Sequence, residues 1–118
     1  MRFLVVITSG GPSTRHLINE EVLNALGPRG FLINVARGTV VDEAALIRVL
    51  QDGRIAGAGL DVFESEPQVP EVLTGMDNVV LLPHIASATH ETWQATGQRV
   101  MDNLDAFERT GQLISAAY

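Results

Sequence analysis

The chain has 118 residues and a net charge of −6, from 14 acidic and 8 basic side chains. With 46% hydrophobic and 19% charged residues, it reads as one folded domain with a single core, which excludes a disordered chain. The acidic balance argues against a nucleic-acid surface, the lack of cysteine excludes disulfides and thiolate metal sites, and no apolar run is long enough for a membrane helix.

Met1-Arg2 lead directly into Phe3-Leu4-Val5-Val6-Ile7-Thr8. This run is too short for the apolar core of a secretory leader, and a cytoplasmic location is the expectation. It is continuously apolar and β-branched, which predicts a strand buried on both faces of a parallel sheet. Ser9 to Ser13 is a glycine- and proline-bearing loop. Between Thr14 and Leu26 the apolar residues Leu17, Ile18, Val22, Leu23 and Leu26 recur at helical spacing, with a start at Asn19. Gly27-Pro28-Arg29-Gly30 stops that helix.

A second buried strand runs from Phe31 to Val35. A second helix runs from Asp42 to Gln51, with Leu46, Val49 and Leu50 as its buried stripe and Gly53 just past its end. A third strand is predicted over Ile55–Val62. It contains Gly57 and Gly59, which weaken a strand and mark the close approach of another backbone or a ligand. An acidic, proline-bearing loop follows from Glu64 to Pro70, then a weak helical turn near Val72-Leu73. The fourth strand is Val79–Leu82, ended by Pro83. A last helix from Thr89 to Arg109 carries Trp93, Val100, Met101, Leu104 and Phe107 at helical spacing, with Gly97 and Ala106 as small packing residues. Gly111 ends it, and the tail to Tyr118 carries no signal. Strands alternating with helices predict an α/β fold of about four mainly parallel strands with flanking helices and right-handed crossovers.

In such a sheet, ligands bind at the carboxyl ends of the strands. Three strand ends here deliver ionisable groups: Arg37, the Asp61–Glu66 segment and His84. Taken singly, each has a plain explanation. An arginine in a turn is usually solvated, a glutamate in a loop is usually exposed, and a lone histidine is more often structural. Together they suggest one site. The planar fork of Arg37 suits a carboxylate, and His84 beside an acid suits a proton donor near neutral pH. Asp61 could cap a turn. His16 and His90 lie away from strand ends and are assigned to the surface, so no metal site is expected. Ser9, Ser13 and Ser87 lack a nucleophile-elbow context. Gly57-Ala58-Gly59 mimics a dinucleotide fingerprint, but Val62 stands where the third glycine belongs, and the pair lies inside a strand. Gly10-Gly11 is not followed by a P-loop lysine. The 118 residues therefore contain no phosphate-cradling motif.

Four segments together resemble the D-isomer-specific 2-hydroxyacid dehydrogenases. They are Gly11-Pro12-Ser13-Thr14-Arg15-His16-Leu17-Ile18, Asn34-Val35-Ala36-Arg37-Gly38, Gly59-Leu60-Asp61-Val62-Phe63 with Glu66-Pro67, and Asn78-Val79-Val80-Leu81-Leu82-Pro83-His84. They cover nearly the whole chain in order, and the branch they resemble is the glyoxylate and hydroxypyruvate reductases. The resemblance implies a partial Rossmann-type, doubly wound sheet, with residues 1–118 forming the C-terminal portion of the nucleotide-binding domain. It implies hydride transfer between NAD or NADP and a small 2-keto or 2-hydroxy acid, and no nucleic-acid or membrane partner. Arg37 is then the substrate-carboxylate arginine, His84 the acid/base and Glu66 its acidic partner. Thr8, Ala36, Asp61 and Ala86, with Arg37 and His84, fall beside the cofactor. Family members often carry glycine at the position of Ala86. The family's GxGxxG turn, its ribose-reading residue and its substrate domain have no counterpart in these residues, so the expectation is a portion of an enzyme that is inactive alone. Because the first strand would lack its neighbour, a homo-oligomer is also expected. The alternative is a non-catalytic truncated module that folds and self-associates without turnover.

Overall fold

A computed structural model describes residues 1–116 and divides into two compact units, Met1–Ile85 and Ala86–Tyr118. The first unit holds β1 (Arg2–Val6), α1 (Glu20–Leu26), β2 (Gly30–Asn34), α2 (Glu43–Gln51), β3 (Gly57–Leu60), α3 (Glu71–Thr74) and β4 (Val79–Leu81). The four strands form one parallel sheet in the order β1-β2-β3-β4. Every strand thus points its carboxyl end to the same edge. The α/β parallel fold read from the alternation of strands and helices is the fold observed.

Local chemistry accounts for the helices. Asn19 caps α1 by accepting the Val22 N–H, and Asp42 caps α2 by accepting the Ala45 N–H. Leu23, Leu46, Val49, Leu50 and Leu73 pack with Leu32, Ala58 and Leu60 in one buried cluster. The helices therefore cover the face of the sheet that carries the inward rows of β2 and β3.

The opposite face carries Phe3, Phe31 and Gly57 in one row and Val5, Ile33, Gly59 and Val80 in the next. Phe3 stacks on Phe31 with ring centroids 5.4 Å apart. The two glycines of β3 are explained here. A Cβ at Gly57 would come within 2.4 Å of the Asn78 carbonyl and 3.2 Å of the Phe31 ring, and one at Gly59 within 3.1 Å of Ile33. The Asn78 backbone demands glycine at position 57, and the tip of Ile33 crowds position 59.

Two expectations are corrected. The first strand is not buried on both faces. It is an edge strand whose Phe3 and Val5 are 60% and 53% exposed. It also stops at Val6, because its partner ends at Asn34 and the ladder has nothing further to pair with. The third strand is four residues long, because Ile55 and Ala56 belong to the turn leaving α2, where Arg54 donates to the Val49 carbonyl.

In the second unit, α4 (His90–Thr110) is capped by Thr89, which accepts the Thr92 N–H, and ends at Gly111 in the left-handed region. Ala106 is buried, as a small packing residue should be, whereas Gly97, Trp93, Val100, Met101, Leu104 and Phe107 are exposed. Asn103 bonds both the hydroxyl and the N–H of Ser115, tying the tail to the helix. The end of that tail, to Tyr118, lies outside the described residues.

The core sets a stability test. Leu23 is fully buried between α1 and the sheet, so Leu23→Ala should cost about 2–5 kcal/mol in denaturant unfolding. A loss near zero would mean that α1 is not packed as described.

Candidate active site at the carboxyl edge of the sheet

At the carboxyl edge, an open cleft of about 890 Å³ lies among the segments that follow β1, β2 and β3 and reaches His84. Thr8, Ala36, Arg37, Glu66 and His84 all line it. Asp61 sits beneath, nearly fully buried, and its Oδ1 accepts the Ile85 N–H at 2.8 Å. That bond ties the end of β3 to the segment after His84. Ala86 opens the second unit.

Arg37 is presented by a turn that Asn34 builds. The buried Asn34 side chain accepts the Ala36 N–H at 3.1 Å and donates to the Arg37 carbonyl at 3.1 Å. An asparagine that bonds the backbone two and three residues on folds the chain sharply at the strand end. The Arg37 guanidinium gives one donor to the Ala36 carbonyl at 2.7 Å, and the side chain lines the cleft. Gly10 lies against the stem of this side chain, and a Cβ there would sit 2.7 Å from the Arg37 Cγ.

Glu66 and His84 are joined directly, with Oε2 2.8 Å from Nδ1. The other carboxylate oxygen, Oε1, accepts the Phe63 N–H at 3.0 Å. The His84 bond and the Phe63 N–H, with help from the Arg37 charge, hold the Glu66 carboxyl below its ordinary value, against a small burial cost. With Nδ1 engaged by the carboxylate, Nε2 is the nitrogen left for a reacting group. His84 has φ 57. That left-handed conformation is uncommon outside glycine and recurs at functional sites.

Several contributors were not legible beforehand. Asn34 was read as part of a buried strand and of a family segment, but given no role of its own, though an asparagine inside an apolar run is itself a signal. Gly38 sits where a Cβ would fall 1.9 Å from the Phe63 carbonyl carbon and oxygen, so only glycine lets the loops after β2 and β3 touch. His16, expected at the surface, is half-buried, and its Nε2 lies 2.8 Å from Glu64 Oε1. Among the described residues no group of three His, Asp or Glu side chains could hold a metal ion, and no helix is long and apolar enough to cross a membrane.

Residues 1–86 match the family model described as the D-isomer specific 2-hydroxyacid dehydrogenase, NAD binding domain. The chain belongs to this family. Among its relatives, hydroxyphenylpyruvate reductase of Plectranthus scutellarioides is 55% identical over 103 residues, covering 87% of this chain and 33% of that protein. The 2-ketogluconate reductase of Gluconobacter oxydans is 52% identical over 104 residues, covering 88% and 34%. Among solved structures, the NADPH-dependent glyoxylate/hydroxypyruvate reductase of Sinorhizobium meliloti, in complex with NADP and malonate, superposes with a TM-score of 0.91 at 55% identity, covering 98% of this chain and 36% of that one. The chain spans about a third of the length of the curated relatives it matches.

The cleft lining mixes polar and apolar residues. Its rim is backbone from Thr8 to Gly11, where two glycines leave room, and Ile7, Val35 and Phe63 give it apolar wall beside one arginine and one histidine.

The lowered carboxyl gives a pH test. A carboxyl whose folded value is depressed contributes stability above its unfolded value of about 4.3, and loses it as pH falls through the folded value. Across that acid interval, stability should therefore fall more steeply in the parent than in Glu66→Gln. Parallel denaturation profiles would mean the His84 bond does not stabilise the fold.

Proposed function

We propose that these residues form the carboxylate-binding and proton-transferring wall of an oxidoreductase acting between NAD or NADP and a small 2-keto or 2-hydroxy acid. The observation that carries this is the Glu66–His84 pair, at 2.8 Å, opening on the same cleft as Arg37. The S. meliloti relative carries glyoxylate and hydroxypyruvate in its name and a bound dicarboxylate, malonate, which favours short 2-keto acids.

When bound, the nicotinamide supplies or accepts the hydride. In the reducing direction, Arg37 pairs with the substrate carboxylate and orients the keto group. As hydride reaches the keto carbon, the C=O π pair moves onto oxygen, and His84 passes its Nε2 proton to that oxygen, completing the hydroxyl. Glu66 holds the ring by Nδ1 and stabilises the cationic form that precedes the transfer. Thr8 and Ala36 lend backbone beside the nicotinamide. Asp61 and Ala86 are assigned to the cofactor on the family resemblance.

The 118 residues contain no glycine fingerprint, and its helix N-terminus is what holds a pyrophosphate. As an isolated polypeptide the chain is therefore inactive. The test is a chimera in which this chain replaces the matching third of the S. meliloti reductase, assayed with glyoxylate by the loss of reduced-cofactor absorbance. The chimera should turn over, and the isolated chain should not. His84→Ala in the chimera should lower kcat by about 10²–10⁴-fold, and Arg37→Ala should raise KM as well. An active isolated chain, or a chimera indifferent to His84→Ala, would overturn the assignment.

We also propose that the chain self-associates through β1. Its edge exposes Phe3 and Val5, and an apolar groove of about 550 Å³ between β1 and α1 is lined by Phe3, Leu4, Val22 and Leu26. Unpaired apolar edges recruit further strands. Sedimentation at high micromolar concentration should give a dimer or larger species, which Val5→Lys disperses. A parent chain that sediments as a monomer would contradict this.

A further inference from the structure

We propose that Glu64 is a positioning residue for the Glu66–His84 pair: held by Arg15 and His16, it fixes the loop from which Glu66 reaches the histidine. This deepens the function proposed above and takes its significance from it.

The argument starts from the peptide between Phe63 and Glu64. It leaves the sheet after β3 and must be placed accurately, because Glu66 follows only two residues later. Four contacts hold this short segment. Gly38 abuts the peptide from below, where a Cβ would stand 1.9 Å from the Phe63 carbonyl and 2.4 Å from the Glu64 nitrogen. Glu43, the first residue of α2, accepts the Glu64 N–H through Oε2 at 3.1 Å. Glu66 accepts the Phe63 N–H. The Glu64 side chain crosses to the loop after β1, where Oε1 accepts the Arg15 Nη2 donor at 3.0 Å and lies 2.8 Å from His16 Nε2.

The charges decide which contact governs. Glu43 and Glu64 bring two carboxylates together at one peptide. Burial pushes the Glu43 carboxyl up, the bond from the Glu64 N–H pulls it back, and the Glu64 charge adds a smaller push upward. Two carboxylates at one peptide are unfavourable unless donors or a cation meet them. Arg15 supplies a compensating charge, and His16 adds a polar contact through Nε2. Arg15 is more than half exposed, so its bond is weak. His16 is better covered, and its own N–H donates to the Thr39 carbonyl at 2.9 Å. Thr39 lines the cleft beside Arg37 and Gly38. One clamp therefore links the loops after β1, β2 and β3, and the catalytic carboxylate hangs from the third.

The test uses NMR on the isolated 118-residue chain, following the Glu66 carboxyl titration and the His84 Nδ1 resonance. Neither depends on turnover. In Glu64→Ala the Glu66 midpoint should rise toward the ordinary carboxylate value and the Nδ1 signature of the shared proton should weaken. Glu64→Gln keeps an oxygen acceptor for Arg15 and should retain most of both. Where Glu64→Ala does not fold, the double variant Arg15→Ala/His16→Asn leaves Glu64 in place, removes its partners and should shift Glu66 in the same direction. A folded variant of either kind with Glu66 and His84 signals like the parent would overturn the proposal. A chimera that fails to reduce keto acids while these signals still respond to Glu64 would instead overturn the proposed function and leave the clamp standing.

Discussion

The site depends on one backbone contact. Gly38, just past the arginine in the turn after β2, touches the peptide that leaves β3. Without a Cβ at that position the two loops meet, and Arg37 and Glu66 come to line one cleft. Any side chain would force them apart, because its first carbon would overlap the Phe63 carbonyl. The requirement is steric and local, yet it sets the spacing of every charged group around it. It also limits what the loop after β3 can do, because a segment pressed against another backbone moves only if both move.

Above that contact the polar groups are arranged so that few are left to water alone. Asn34 satisfies the turn that carries Arg37, Asp61 takes the Ile85 N–H, and Glu66 divides its two oxygens between Phe63 and His84. Buried polar groups must be paired or they cost stability. Here the pairing also aims the side chains. A histidine with Nδ1 tied to a carboxylate presents its other nitrogen in a fixed direction, which suits proton transfer to an oxygen held by a nearby guanidinium. The left-handed backbone at His84 is part of the same arrangement, for an extended residue after Pro83 would carry the ring elsewhere.

The sheet explains why these groups meet at all. Four parallel strands in consecutive order put every carboxyl end on one edge, so chemistry delivered by three strands converges without long loops. The same architecture leaves β1 as an edge strand with an apolar outward row.

From the sequence alone one could tell the element order, the caps Asn19 and Asp42, the parallel sheet and the three ionisable strand ends. These follow from hydrophobic period, capping chemistry and turn residues, which act over a few positions and are written locally. The family was legible for a similar reason, since its motifs are short and lie at strand ends. The exposure of β1 was not legible from its composition. An apolar, β-branched run reads the same at the centre of a sheet as at its edge, and only the strand order separates the two. Nor could the sequence show that Gly57 and Gly59 answer to Phe31, Ile33 and Asn78, or that His16 meets Glu64. Those pairings join residues that are 21 to 48 positions apart, and such contacts exist only once the strands are in register. Tertiary structure decided them because the distance between two side chains is a property of the folded backbone and not of either residue.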